Sequence, residues 1–429
     1  MKSDSNSKQG ALKITDRQEA SMPSALTDFL QARWKVVVFF LWVFALLARH
    51  YVNMFPPRLF AEDGMIFTKA AYEHGFSSFL EPYASYYHLL SRIIAYVAVH
   101  VLPINHLPTT FLLATLFILL FVVYAFLSAE KLHPVVRIAV IFALIFPPGG
   151  GRDDNLCLMS SHWFTSALYP LLLISPELRD WKRMISLCIL VALVAMNDPL
   201  IIPAIPFFAM RAWVYRRNGM EKFFFTVATI ACILQFHCVL VSPPPHWLNP
   251  QPCPREELLK MWVFAGIAQP IGMFVFGDRI AKASLHSFGV MSLCLLTLTA
   301  FFALAVYAFV KASPLGKKNA LVFLLLGAAF YAASCYRNIT SPQEIVANGY
   351  SRYFYVPFVF GVAALFSCLA DLPNGFFKIV VLIVGSGIFV STICLGRVEP
   401  IRLATDWEKH IQELNEKGST KIQIGRAHV

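Results

Sequence analysis

Apolar stretches of membrane-crossing length recur in this chain from Val36 to near Leu395, separated only by short polar breaks. About 20 such residues in a helix cover the ~30 Å of hydrocarbon in a bilayer. Composition agrees, since 57% of the residues are hydrophobic and only 14% charged, too few for the hydrated surface of a soluble protein. The expected fold is therefore all-α, a polytopic transmembrane helix bundle over residues 35–396 with about 11–13 membrane helices. Residues 1–34 are expected as a polar cytoplasmic tail and 397–423 as an external tail, and residues 424–429 are set aside as a sequencing scar.

The formal net charge is +11. In a soluble chain that excess would raise nucleic acid as a partner, but no nucleic-acid-binding motif is present. Lys and Arg instead fall in short loops, as Arg211, Arg216 and Arg217 or Lys311, Lys317 and Lys318 do, where the positive-inside bias sets them against anionic lipid. The lipid bilayer is the expected partner, and nucleic acid is not. Lys2, Lys8, Lys13, Arg17, Arg33 and Lys35 hold the N-terminus inside. Most cysteines lie within apolar runs as small hydrophobes. Cys157 and Cys253 fall in polar loops and could pair in an oxidising compartment, though no spacing requires it.

Spans are expected at 36–52, 86–102, 109–127, 136–147, 163–175, 184–197, 200–215, 223–241, 287–310, 319–335, 353–370 and 377–395. The first external loop, 55–85, mixes Lys69, Glu73, His74 and Glu81 with aromatic and small residues, which suits interfacial helices. Asn197-Asp198-Pro199 divides one apolar run into two short helices. A long external loop, 242–286, carries Pro243-Pro244-Pro245 and His246-Trp247. Loops of such length are commonly functional. Counting sides from the basic flanks produces a conflict near residues 86–147 unless one segment only partly crosses. The segment holding Arg92, or a neighbour of it, is the candidate, since an arginine within a span costs about 2.5–3.5 kcal/mol unless it faces protein or water.

Chemistry concentrates first at Phe60-Ala61-Glu62-Asp63-Gly64, just beyond the first span. Asp63 could cap the following helix, or the Glu62-Asp63 pair could act as a general base or bind a Mg²⁺ or Mn²⁺ ion. Arg92, Arg352, Arg337 and Lys69 are the cations that could meet an anionic leaving group. Arg152-Asp153-Asp154-Asn155, followed by His162-Trp163, forms a second polar cluster beside Gly149-Gly150-Gly151. No P-loop, GxSxG or HExxH occurs, which speaks against an ATPase, a serine hydrolase or a zinc protease.

A single span, then an external Glu-Asp, then Glu81-Pro82-Tyr83-Ala84-Ser85-Tyr86-Tyr87-His88-Leu89-Leu90-Ser91-Arg92 resembles the GT-C class of integral-membrane glycosyltransferases. The Ala-Glu-Asp-Gly loop, the Pro-Tyr-Ala-x-Tyr segment and the later Arg352-Tyr353 resemble, more narrowly, bacterial GT-C-like membrane proteins. The resemblance implies transfer of a sugar from a polyprenyl-phosphate donor to a cell-envelope glycan or lipid acceptor, at the outer face of a bacterial inner membrane. It implies Asp63 and Glu62 as catalytic or metal-binding carboxylates; for such a donor, charge at the leaving phosphate makes Arg352, Arg92 and Lys69 the candidate phosphate contacts. Tyr83, Tyr87, His88, Asp154, His162, Trp163 and Tyr353 are the matching candidates for substrate contact. A transporter or flippase for lipid-linked saccharides and an O-antigen polymerase or ligase are the alternatives. A purely structural role fits loops this polar less well.

Overall fold

The computed structural model describes residues 24–55, 57, 59, 63–145, 156–242, 254–259, 262–263, 288–337 and 354–372. The expected span at 377–395, residues 1–23, the expected external tail, residues 424–429, Cys253 and most of the long loop at 242–286 lie outside the described residues. Every element described is helical, and among the described residues no strand forms. The chain divides into residues 1–41 and residues 42–429.

In the first unit the described structure is the opening of α1, Ser24–Met54. The helix thus begins within the stretch 1–34 expected as a polar tail. The stretch that follows Pro23 contains neither Pro nor Gly and is rich in Ala, Leu, Gln and Arg, so helix propensity alone carries the helix back to Ser24.

The second unit continues with α2, Lys69–His74, α3, Leu89–His100, α4, Leu107–Leu127, and α5, Pro134–Ile145. Next come α6, Ser161–Ser166, α7, Tyr169–Ile174, α8, Trp181–Asn197, α9, Ile201–Val214, and α10, Gly219–Val241. The last are α11, Arg255–Leu259, α12, Phe288–Lys311, α13, Pro314–Arg337, and α14, Tyr355–Leu369. By length and composition, 4 described segments can cross a bilayer unaided: Arg33–Tyr51, Ile104–Leu127, Gly219–Val241 and Pro314–Tyr336. Among the described residues, further crossings could also draw on shorter helices. One of these is α3, whose 12 residues rise only about 18 Å.

The expected span at 163–175 is not one helix. It is α6 and α7, 6 residues each, hinged at Ala167 and Leu168. Pro170 has no N–H to return to Ser166, so the hydrogen-bond ladder is interrupted there. In contrast, α14 is buried along nearly its whole surface, only Pro357 and Gly361 falling outside the buried set. A helix apolar on every side belongs at the centre of a bundle. Tyr355 of α14 donates to the Leu144 carbonyl of α5 at 2.8 Å, and Phe360 packs on Phe323 and Phe330 of α13. Trp42 donates to the Ile141 carbonyl of α5 at 2.7 Å.

The close approach of α13 and α14 depends on Gly316. A β-carbon there would lie 2.8 Å from the Ser367 carbonyl oxygen and against the Asp371 carboxylate, which accepts from Ser313 N at 3.0 Å and Ser313 Oγ at 2.8 Å. Gly316→Ala is expected to destabilise the protein by about 1–3 kcal/mol, read as a lower melting temperature in detergent. Gly219→Ala, with nothing within 4 Å of its new methyl group, serves as the neutral control.

Arg211, expected against anionic lipid together with Arg216 and Arg217, is instead buried in the protein. It is 5% exposed and donates through Nε and Nη2 to both Glu221 oxygens, at 2.8 and 2.6 Å. Its Nη1 also reaches the carbonyls of Leu172, Leu173 and Ser175 and the Ser175 hydroxyl, and Nη2 reaches the Pro176 carbonyl. Glu221 in turn accepts from Leu178 N at 2.9 Å. The guanidinium thus satisfies the otherwise orphaned carbonyls at the end of α7, and ties α7, α9 and α10 together. Arg216 and Arg217 remain exposed, as expected.

Beside this network, in the loop after α7, Glu177 accepts from Asn218 Nδ2 at 3.1 Å and from Arg179. The Asn218 bond first, then the Arg179 bonds, hold its carboxyl below the usual glutamate value of 4.5. A depressed folded-state value contributes stability above the unfolded pKa that is lost as pH falls through the folded one. Glu177→Gln is therefore expected to lower the melting temperature slightly at neutral pH and to leave it unchanged well below about pH 4.5, which flattens that part of the acid side of the profile.

Candidate functional site

The site is assembled from three stretches, two of them neighbours in the chain and the other some 95 residues away. The first is a π-helical turn, Asp63–Thr68, running into α2 and then a 3-10 turn, Gly75–Leu80. Tyr72, Phe76 and Leu80 are more than half exposed on it, the mixed face expected of interfacial helices. Phe67 and Ala71 turn inward to join Leu59, Ala95, Ala98, Leu107, Phe111 and Leu158 in one core. That core fixes the position of Asp63.

Asp63 is 1% exposed. Its Oδ2 accepts the Leu158 N–H at 3.0 Å and its Oδ1 the Met159 N–H at 2.9 Å. Capping is thus the right chemistry with an unexpected partner: the carboxylate caps the turn leading into α6, some 95 residues on. Met159 N and Leu158 N are the first donors of a 3-10 turn, Leu158–Ser160, which no earlier residue of that turn could satisfy. The bond is what brings the second stretch, α6, onto the first.

The third stretch is the turn before α3. Tyr83 N donates to the Tyr86 carbonyl at 2.9 Å and Tyr86 N to that of Tyr83 at 3.2 Å, with Ala84 and Ser85 between them at φ +53° and +69°. Turns with both central residues left-handed favour Asn-Gly. Ala and Ser there cost on the order of 1–3 kcal/mol each and persist only where surroundings over-determine them. One such constraint is Gln235 of α10, fully buried, whose Oε1 accepts from Tyr87 N at 3.1 Å while Nε2 donates to the Tyr87 carbonyl at 3.3 Å and to that of Ala195 at 2.9 Å.

The turn delivers His88, fully buried, into an aromatic cluster. Its ring centroid is 4.2 Å from Tyr86, 5.4 Å from Phe67, 5.8 Å from Tyr83 and 5.4 Å from His162 of α6. His162 lies 4.6 Å from Trp163, and its Nδ1 meets the Met159 carbonyl. Below them Ser91 Oγ stands 3.2 Å from Ser161 Oγ, which Asn197 Nδ2 approaches at 3.4 Å.

Arg92 completes the group. It is 2% exposed and its guanidinium stands 5.6 Å over the Phe67 ring. Its one ion pair among the described residues is with Glu81, Nη1 to Oε2 at 3.8 Å, and its Nε and Nη1 have no hydrogen-bond partner among the described residues. Snorkelling to the interface does not describe this side chain.

Of the candidates from sequence, Asp63, His88, Arg92, His162 and Trp163 are all buried here, joined through Phe67 and the 158–163 turn, with Tyr83 at the margin. Tyr87 contributes its backbone. Lys69 does not join them: its side chain is 64% exposed and pairs with Glu73 at 3.9 Å, i to i+4 on α2, a surface contact worth little. Glu62, Asp154, Arg352, Tyr353 and His246 lie outside the described residues.

Among the described residues no group of three His, Cys, Asp or Glu side chains could hold a metal ion. Asp63 already accepts an N–H on each oxygen, so a Mg²⁺ or Mn²⁺ ion bound there would depend on Glu62 and on substrate oxygens for its remaining ligands.

Sequence reasoning missed Phe67, Ser91, Gln235 and the role of Glu81. Gln235 was detectable as a lone amide within the apolar run of α10, since a polar side chain at membrane depth has a partner to satisfy. No protein-family model, no curated protein and no solved structure matches this chain.

Proposed function

We propose that this protein is a membrane glycosyltransferase of the GT-C type, moving a sugar from a polyprenyl-phosphate donor to a cell-envelope glycan or lipid acceptor at the outer face of a bacterial inner membrane. The observation that carries this reading is Arg92, a buried guanidinium with unmatched N–H groups in the same cluster as a buried carboxylate, Asp63. A buried cation left short of acceptors is costly. A phosphate oxygen is the acceptor that a guanidinium matches best.

In this reading the acceptor hydroxyl attacks the sugar's anomeric carbon and its proton passes to Asp63. The bond from that carbon to the phosphate oxygen breaks, and the polyprenyl phosphate leaves with the electron pair against Arg92. His88, Tyr83 and Trp163 supply apolar and edge contacts to the sugar ring. A divalent ion, if bound, would add charge stabilisation at the phosphate. Arg352 would add a second cation.

A transporter for lipid-linked saccharides is the second reading, and it has an observation of its own. Two helix breaks, α6 to α7 and α8 to α9, lie in the interior, and Ser166 Oγ, Tyr169 OH and Asn197 Oδ1 near them are buried with no hydrogen-bond partner among the described residues. Broken helices commonly line transport sites.

The test is turnover by the purified full chain in vesicles, supplied with polyprenyl-phosphate-linked sugars and a membrane extract as acceptor. Release of polyprenyl phosphate with sugar on the acceptor supports the transferase. Movement of intact donor between leaflets without release supports the transporter.

A further inference from the structure

Resting on the proposed role of Arg92 in holding the donor phosphate, we propose that Glu81 is a displaceable counter-ion, occupying Arg92 while the site is empty and giving way to a prenyl phosphate when it arrives. Four observations support it. Arg92 cannot move far: it sits in the first turn of α3, its N–H bonded to the His88 carbonyl at 2.9 Å, with its guanidinium over Phe67. Glu81 is too distant for a hydrogen bond, at 3.8 Å, so it balances charge without using the N–H groups of Arg92.

The carboxylate also has somewhere to go. Its other oxygen, Oε1, contacts His74 Nδ1 at 2.5 Å, so Glu81 retains a partner when it swings from Arg92. The backbone need not follow, because Glu81 N is bonded to the Ser78 carbonyl at 3.2 Å and Pro82 comes next. Finally, the two ends of this bridge differ in exposure. Glu81 is 34% exposed and His74 51%, whereas Arg92 is 2% exposed. The departing carboxylate therefore moves toward water while the cation stays desolvated, which is the direction that strengthens Arg92 for an incoming anion.

The consequence is exchange of one anion for another with little change in net charge inside the cluster. An empty site holding Arg92 without Glu81 would carry an uncompensated cation. A filled site with Glu81 unmoved would set two anions side by side, which opposes binding.

Binding of farnesyl phosphate to the full chain in nanodiscs tests this, with farnesol as the uncharged chain and inorganic phosphate as the chainless anion. Glu81→Gln keeps the shape and removes the competing charge. It is expected to bind farnesyl phosphate about tenfold more tightly than the unmodified protein, and to leave farnesol unaffected. Arg92→Gln is expected to lose farnesyl phosphate binding by at least as large a factor, with Arg92→Lys in between and the melting temperature of each variant recorded to show that it is folded. If Glu81→Gln binds no better, or farnesol gains as much, the counter-ion role is overturned while the phosphate site stands. Should folded Arg92→Gln and Arg92→Lys both bind farnesyl phosphate like the unmodified protein, the phosphate site itself fails. Inorganic phosphate responding as strongly as farnesyl phosphate would also overturn the proposal, since the exchange would then not select a prenyl-linked anion.

Discussion

Glu221→Gln is expected to cost the folded protein about 3–5 kcal/mol, the range for breaking a buried ion pair from one side. The amide cannot balance the charge of Arg211, which would remain 5% exposed among neutral groups, the carbonyls and the Ser175 hydroxyl. Arg211→Met should be at least as damaging, because it strands Glu221 together with the carbonyls of Leu172, Leu173, Ser175 and Pro176. Arg211→Lys cannot rescue, since one ammonium does not span both Glu221 oxygens and four backbone carbonyls. The measurement is folded yield and melting temperature in detergent. Exposed Arg216→Ala, within about 0.5 kcal/mol of the unmodified protein, is the control. A Glu221→Gln variant as stable as that control would show that the pair is not a structural centre.

Asp63→Asn carries the second large effect, on transfer. As a general base the carboxylate is expected to be worth about 10²–10⁴ in rate, and an amide cannot accept the proton. The same change also touches the fold. An amide oxygen can keep one of the two N–H bonds from Leu158 and Met159, leaving the other donor facing an NH₂ group at a cost of about 1–3 kcal/mol. Transfer and melting temperature must therefore be read together. A transfer loss of several hundredfold in a protein that is still mostly folded supports the base. A loss that merely tracks the folded fraction assigns Asp63 to capping alone.

These two residues mark what could be read from the sequence and what could not. Asp63 was visible because a carboxylate just after a long apolar run is conspicuous, but its partner lies some 95 residues away and no local pattern specifies that pairing. Arg211 was misplaced for the opposite reason. It stands near Arg216 and Arg217 in the chain, and a positive cluster looks alike from sequence whether its members face lipid headgroups or one of them turns into the protein. Glu221, in the first turn of the next helix, was the available clue. The stretch at 163–175 was apolar enough to be taken for one span, and hydropathy does not register the N–H that Pro170 lacks.

The sequence by itself determined that the described fold would be helical and that its helices would be apolar enough for a membrane, because burial of backbone in hydrocarbon leaves a long apolar run little choice. It also located the stretches that matter, Asp63, the Tyr83–Arg92 segment and His162-Trp163. Only the tertiary structure decided that they meet, through two backbone N–H bonds to Asp63, a shared aromatic contact at Phe67 and the hold of Gln235 on Tyr87. Such contacts join groups far apart in the chain, and their geometry is set by packing, which periodicity and charge bias do not encode.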